Sequence, residues 1–357
     1  MKRALLLFGG RSTEHQISCL SAKSVLEVID RDRYEVLAVG ITRDGRWTLT
    51  DGNIEVAAGQ QLPEVDEDGP TVALVGTRHG PTLVQIDDRD GGNTATSNLG
   101  PVDVAFPLLH GPWGEDGTVQ GLLATVGVPY VGADVTASSI GIDKAAMKAS
   151  FAARGLPQLG YLVVDRARWE TAPAEVTAEL EARLPTPWFV KPARQGSSIG
   201  ISKVRGSGEL PSAMAEAFDH DAVVIVEEGL EGARELEVGV LGHEVLEVTG
   251  VGEIVPSHEF YDFEAKYLDA SELLIPADVP VAVAERIDTF AREAYRAIGC
   301  RGLARVDFFA RRDGSVVVNE INTIPGFTPA SMFPMLWAAQ GLDYRALVDR
   351  LLGDAAR

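Results

Sequence analysis

Near the C-terminus three β-branched residues, Val316 to Val318, run into Asn319, Glu320, Ile321 and Asn322, then into the turn Pro325-Gly326. On a strand successive side chains alternate faces, so Glu320 and Asn322 project on one side and Ile321 on the other. Upstream, Val306-Asp307-Phe308 lies in a second apolar run, and Arg311-Arg312-Asp313-Gly314 has the composition of a turn joining the two. If the runs pair as a hairpin, Asp307 reaches the side of Glu320 and Asn322. Two carboxylates and an amide oxygen would then share one wall. Such a set suits Mg²⁺ held by few protein ligands and completed by substrate phosphates. The alternative is a solvated strand end whose acids face water.

A second stretch, FVKPARQGSSIGISKV at 189–204, reads as a strand carrying Lys191, a loop with Gly196-Ser197-Ser198, and a second strand. Backbone N–H groups at glycine, hydroxyls beside them and one lysine are what a phosphate needs. The order G-x-x-x-x-G-K-[ST] is absent, so this is no P-loop; an ordinary mobile hairpin with a snorkelling lysine has the same composition. A third, VIVEEGLEG at 224–232, is an apolar strand ending in Glu227-Glu228, whose backbone groups could read an adenine edge. In the fourth, LHGPWGEDGTVQG at 109–121, glycines follow a strand, where α/β proteins bind ligands. His110 is there either a ligand contact or a satisfied strand-end histidine. Gly9-Gly10 does not complete G-x-G-x-x-G, which excludes that dinucleotide fingerprint.

These residues need a scaffold. Ala4 to Phe8 reads as a buried parallel strand, Ser12-Thr13-Glu14 with Ile17 to Val28 as a capped helix, and Tyr34 to Ile41 as a second strand. Residues 51–100 are turn-rich and predict hairpins and loops. Asp103 to Leu109 predicts a strand, and Val119 to Val126 a helix. Beyond them follow helices at 143–154, 173–184 and 209–218, and strands at 188–191, 199–204 and 222–228. Strands at 235–241, 244–249, 302–310 and 315–319, a loop at 256–275, and helices at 281–298 and 343–352 complete the pattern. The fold class is α/β, and 357 residues are too many for one core of usual size. Boundaries near 140 and 230 predict units at 1–140, 141–230 and 231–357.

The net charge of −20 argues against a nucleic-acid or anionic-membrane partner. Two cysteines, Cys19 and Cys300, without metal spacing, fit buried thiols in a reducing cytoplasm. The apolar run after Met1 stops at Gly9, too short for a signal segment, and no stretch is long enough to span a membrane. The expectation is a soluble cytoplasmic protein.

Together, LFGGRSTEHQIS, LHGPWGEDGTVQG, GIDKAAMK, FVKPARQGSSIGISKV, FYDFEAKYL, ARVDFF and NEINTIPGFTPAS resemble, in order and at similar spacing, the D-alanine–D-alanine ligases of the ATP-grasp superfamily. The resemblance covers almost the whole chain. It implies three α/β domains with a doubly wound N-terminal one, ATP between the second and third, two Mg²⁺ ions for which Mn²⁺ can substitute, and a homodimer. It further implies ATP-dependent ligation of two D-alanines through a D-alanyl phosphate, for peptidoglycan precursors. A different acceptor, D-lactate or D-serine, is the alternative within the superfamily.

Residue by residue, the resemblance gives Asp307, Glu320 and Asn322 to the metals, and Lys144 and Lys191 to ATP phosphates. Glu227, Leu230 and Glu235 fall around adenine and ribose, and Ser197 and Ser198 on the loop over the phosphates. Glu14 pairs with the first D-alanine's ammonium, with His110 near that substrate. Arg305 and the Gly326 N–H form the oxyanion hole. Ser331 meets the second D-alanine's carboxylate, and Lys266 the transferred phosphate. Tyr267, joined to Ser197 and Glu14, marks relatives that make a dipeptide rather than an ester. The loops at 194–199 and 256–275 are the implied lids.

Overall fold

The computed structural model describes residues 1–56, 62–89, 93–255 and 272–356. Strands β1 (Lys2–Gly9), β2 (Tyr34–Ile41), β3 (Trp47–Thr50) and β7 (Val104–Pro107) form one sheet in the order β3-β2-β1-β7. β1 is parallel to both neighbours, and its residues Ala4 to Leu7 are wholly buried, as a strand covered on both faces must be. The turn-rich segment forms the meander β4 (Val72–Thr77), β5 (Gly80–Arg89) and β6 (Asn93–Pro101).

A second, antiparallel sheet runs β10-β9-β11-β8, from β8 (Tyr161–Asp165), β9 (Trp188–Pro192), β10 (Ser202–Val204) and β11 (Val223–Glu228). The third runs β15-β14-β12-β16-β17, with β13 (Leu246–Val248) on β12. Its other strands are β12 (Arg234–Gly242), β14 (Gly252–Val255), β15 (Glu272–Leu274), β16 (Gly302–Ala310) and β17 (Val316–Asn322).

The helices are α1 (His15–Val28), α2 (Thr118–Val126), α3 (Val135–Ile142), α4 (Lys144–Ala153), α5 (Arg166–Thr171), α6 (Pro173–Arg183), α7 (Leu210–His220), α8 (Val281–Ala297), α9 (Met332–Ala339) and α10 (Tyr344–Ala355). Where caps are strong the reading of the sequence matches: Pro173 opens α6, and Gly155, at φ +68°, follows the end of α4.

Several elements differ from expectation. α3 has β-branched residues and a glycine, a poor helix former by itself. It forms because Asp134 caps it and Ala137 and Ser138 are fully buried. α9, MFPMLWAA, carries no polar face; Phe333, Leu336 and Trp337 all sink into cores. The strand expected at 199–204 shrinks to β10, because Ser197, Ser198 and Gly200 take positive φ (48°, 60° and 67°), which breaks extended backbone. Glu14 stands at the N-cap of α1 but makes no capping bond.

The cores do not follow chain order. α9 and α10 bring Phe333, Trp337, Leu347 and Leu351 onto the first sheet beside Phe8 and Phe106. Ala137, Met147 and Phe151 of α3 and α4 pack with the third sheet and α8. The second sheet, α6 and α7 keep a separate core around Trp188 and Met214. The loops after β1, β7 and β17 are thereby gathered at one place.

Candidate active site

The hairpin β16–β17 supplies one wall of the site. Ala304, Val306, Phe308 and Ala310 face the core with Val316 and Val318. Plain alternation would continue that buried face through Glu320 and Asn322. The ladder instead shifts register between Asp307 and Phe308, leaving Asn319 as the extra residue of β17. After the bulge Ile321 takes the core face, Glu320 lies opposite Asp307, and Asn322 lies opposite Arg305. All four polar side chains therefore share the outer face.

On that face Arg305 Nε and Nη2 donate to the two carboxylate oxygens of Asp307, each at 2.7 Å. Glu237, paired with Asp307 across β12–β16, lies 2.9 Å from the same Nε. Burial works against the guanidinium, but Asp307 and Glu237 outweigh it and hold Arg305 well above its ordinary pKa. Asn322 Nδ2 donates to Asp307 at 2.9 Å, an orientation that leaves its Oδ1 as the acceptor.

Among the described residues no three His, Cys, Asp or Glu side chains cluster as a metal site. The donor set here is two carboxylates and an amide oxygen. Hard oxygens in so small a number fit a divalent cation that draws its remaining ligands from phosphate and water.

Lys144 and Lys148 stand one turn apart on α4, hence on one face. Lys144 Nζ donates to the Gln195 carbonyl at 2.8 Å and lies 3.9 Å from Glu320. Lys148, almost wholly buried, pairs with Glu227 Oε1, and Lys191 Nζ donates to Glu227 Oε2 at 2.6 Å. Burial would raise the Glu227 carboxyl, yet the two lysines depress it to about 2. Burial likewise opposes the Lys191 ammonium, and Glu227 more than reverses it, so its pKa is raised. These groups, with Ile225, Asn319 and Glu320, line a narrow cleft shared by the second and third sheets. The Glu227 side chain is thus committed to two lysines, leaving the strand-end backbone as the group able to meet an adenine. Leu230 is half-buried just beyond β11, and the charge of Glu235 on β12 is felt by Lys191.

Ser197 donates its hydroxyl to Glu14. That bond joins the loop between β9 and β10 to the start of α1, and it occupies the carboxylate that sequence placed in a cap. Gly111 and Gly196 crowd Glu14 too; a Cβ at Gly111 would collide with the carboxylate, and one at Gly196 would lie 3.1 Å from it. Ser198, on the same loop, also has positive φ. Two successive non-glycine residues in that region store strain, which is common where a loop serves a ligand.

His110 is fully engaged: Nδ1–H donates to the Ile324 carbonyl at 3.0 Å, and Nε2 accepts from Ser21 at 3.2 Å. A carbonyl can only accept, so the proton belongs on Nδ1. Burial lowers its pKa and keeps the ring neutral. Gly326 follows in that loop, and a Cβ there would lie 3.1 Å from Ser331 Oγ. Ser331, at the N-cap of α9, accepts from the Thr328 N–H at 3.1 Å. A helix start of this kind favours a carboxylate. Lys266 and Tyr267 lie outside the described residues.

Sequence reading passed over Lys148, Glu237 and Glu115. The first two had a readable signal: Lys148 is four residues from Lys144 on a helix, and Glu237 two from Glu235 on a strand. Glu115 had none beyond its place in the glycine-rich stretch.

Two antiparallel sheets meeting at a lysine-lined cleft, with an α/β unit delivering Glu14 to its edge, make this an ATP-grasp ligase. Residues 3–133 match the family description "D-ala D-ala ligase N-terminus" and residues 150–353 "D-ala D-ala ligase C-terminus". A D-alanine--D-alanine ligase of Mycobacterium sp. (strain JLS) is 49% identical, over 99% of this chain and 96% of that one. Another, of Heliobacterium modesticaldum, is 47% identical over 99% of this chain and 94% of its own length. Among solved structures, the VanG D-Ala:D-Ser ligase from Enterococcus faecalis superposes at a TM-score of 0.81 with 34% identity, covering 99% of both chains. The D-alanine-D-alanine ligase from Coxiella burnetii does so at 0.81 with 29% identity, covering 99% of this chain and 94% of that one. The chain belongs to the D-alanine–D-alanine ligase family. That family implies use of ATP and of a divalent metal. No described helix is long and apolar enough to cross a membrane.

Proposed function

We propose that the protein joins two D-alanines into D-alanyl-D-alanine with conversion of ATP to ADP and phosphate, supplying peptidoglycan precursors in the cytoplasm. The observation that carries this reading is the shared face of Arg305, Asp307, Glu320 and Asn322, beside Lys144 and Lys191. A binding module needs cations for phosphate, but it has no use for the oxyanion-stabilising arginine that the family pattern puts at Arg305.

The chemistry follows from the weakness of a carboxylate as an electrophile. The γ-phosphoryl group of ATP passes to the carboxylate of the first D-alanine, giving an acyl phosphate and ADP. The free amine of the second D-alanine attacks that carbonyl, and the C–O bond to phosphate breaks as the amide forms and the amine loses its proton. Lys144 and Lys191 hold phosphate oxygens, Glu14 receives the first ammonium, and Ser331 with the start of α9 receives the second carboxylate. Arg305 and the Gly326 N–H stabilise the tetrahedral oxygen. Asp307, Glu320 and Asn322 would hold two Mg²⁺ ions, with Mn²⁺ able to substitute; bound there, the cations would neutralise phosphate charge. Ser197 and Ser198 close over the phosphates, and Leu230, Glu235 and the backbone near Glu227 flank the nucleoside. Lys266 and Tyr267 complete the set. We take the chain as three units, 1–140, 141–230 and 231–357, working as a homodimer.

The test is phosphate release from ATP and Mg²⁺ with D-alanine alone, with separation of products. D-Alanine-dependent phosphate matched by dipeptide is expected. Phosphate released only when D-serine or D-lactate is added would overturn the acceptor assignment.

A further inference from the structure

Glu115 belongs to none of the roles above, yet it sits where two loops meet. Its Oε2 accepts from the Gly111 N–H at 2.7 Å, within its own loop. Its Oε1 accepts from the Ile324 N–H at 3.2 Å, across 209 residues of chain. The Ile324 carbonyl accepts from His110 Nδ1 at 3.0 Å. One loop therefore grips both backbone polar groups of a single residue in another. Three residues further on, Phe327 is buried against Phe106, and its carbonyl accepts from the Tyr344 hydroxyl at 2.6 Å. Pro325 and Gly326 are suspended between these two anchors.

The strand side of this loop is secured independently, since Asn322 is in the β-ladder opposite Arg305. Residues 323–326 have no ladder. Their register depends on Ile324, and Ile324 is held from the loop that also crowds Glu14 through Gly111. The same carboxylate thus fixes the distance between the first-substrate loop and the segment that leads to Gly326 and Ser331.

We propose that Glu115 is a positioning residue for the condensation step: with His110 it clamps Ile324, and so places the Gly326 N–H and the acceptor loop against the first-substrate site. The inference rests on the ligase reading for its functional half only. Burial, with Glu14 nearby, raises its carboxyl to about 8, while the Gly111 and Ile324 N–H groups and Arg305 pull the other way. The buried carboxyl group, whose charged form that place disfavours, is held by its two backbone donors.

The test compares Glu115→Ala and Glu115→Gln with the wild type in three measurements. These are the acceptor KM and kcat for D-alanine, the dissociation constant of ATP, and hydrogen exchange at the Ile324 amide. Glu115→Ala is expected to lower kcat/KM for the acceptor about fivefold to a hundredfold, the ordinary factor for leaving a buried hydrogen-bond donor unsatisfied. ATP affinity should stay within about twofold, because the lysines and the second sheet are untouched, and the Ile324 amide should exchange faster. Glu115→Gln keeps one acceptor and should fall between; if the alanine variant does not fold, it carries the same comparison. An unchanged acceptor kcat/KM with faster exchange would overturn the positioning role. So would a parallel loss of ATP affinity and thermal stability, which would make Glu115 a general structural residue. Wild-type protein inactive with D-alanine would defeat the ligase reading alone, since the exchange measurement still reads the clamp.

Discussion

Replacing Glu227 by Gln removes the one carboxylate between Lys148 and Lys191. Glu227 is 1% exposed, Lys148 is 2% exposed, and the carboxyl is depressed from 4.5 to about 2. At about 1.4 kcal/mol per unit, that difference corresponds to roughly 3 kcal/mol of stability at neutral pH. The cost of stranding a buried partner, about 3–5 kcal/mol, is of the same size. The sign is fixed by the direction of the shift. A depressed folded-state value means the contribution is fully present above 4.5, and is lost as pH falls from there through about 2. Glu227→Gln should therefore lower the stability of the unit built on the second sheet by roughly 3 kcal/mol at pH 7, equivalent to about 12–24 °C for a domain of this size. The deficit should be flat between pH 6 and 8 (about the neutral range) and begin to shrink below about 4.5 as the wild-type carboxyl titrates. Urea unfolding followed by tryptophan fluorescence reads it, because Trp188 lies in that core. A loss below about 0.5 kcal/mol, the size of an ordinary surface substitution, would refute the buried ion triad. So would a deficit that grows on acidification.

Glu320→Gln should abolish turnover while leaving thermal unfolding unchanged, since its 3.9 Å pair with Lys144 is partly solvated and contributes little. A near-normal rate of phosphate release at ordinary magnesium would remove Glu320 from the metal site. Arg305→Met should cut kcat by about 10²–10³ with little change in the ATP KM, as for loss of one oxyanion donor. Because it also strands Asp307 and Glu237, folding must be checked by circular dichroism, and an effect confined to the ATP KM would place the arginine elsewhere. The wild type given equal D-alanine and D-lactate at neutral pH should make dipeptide with negligible ester. Tyr267→Phe should raise the ester share, most at lower pH where the amine is protonated; an unchanged product ratio by chromatography would leave that tyrosine a packing role.

Much of this protein is written locally. The apolar run after Met1, the strand Tyr34–Ile41, the Pro173 helix start and the strand Gly302–Ala310 are set by side-chain pattern and turn chemistry, and they appear at or within a residue or two of where those signals place them. The types of the chemical residues are equally plain in the sequence, because each stands in a short stretch whose order and spacing match the family. What local signals cannot carry is long-range burial. α9, and α3 beyond its Asp134 cap, are helices because neighbouring sheets cover their apolar residues, and the C-terminal helix joins a core begun by the first strand.

The same limit governs the site. Alternation along β17 would send Glu320 and Asn322 inward with Val316 and Val318. The bulge at Asn319 turns them outward to Asp307 and Arg305, and only the packing of Ile321 into the core fixes that shift. Glu14 stands in the stretch that reads as a helix cap, and the resemblance links it with Ser197; the two meet because their loops come together in space. His110 reads as either a ligand contact or a satisfied strand-end histidine, and its two nitrogens are taken by Ser21 and a carbonyl 214 residues away. Sequence determined which groups this protein has to work with. Tertiary structure decided which way each one faces, since a side chain's direction depends on register and contact, and both are set by residues far along the chain.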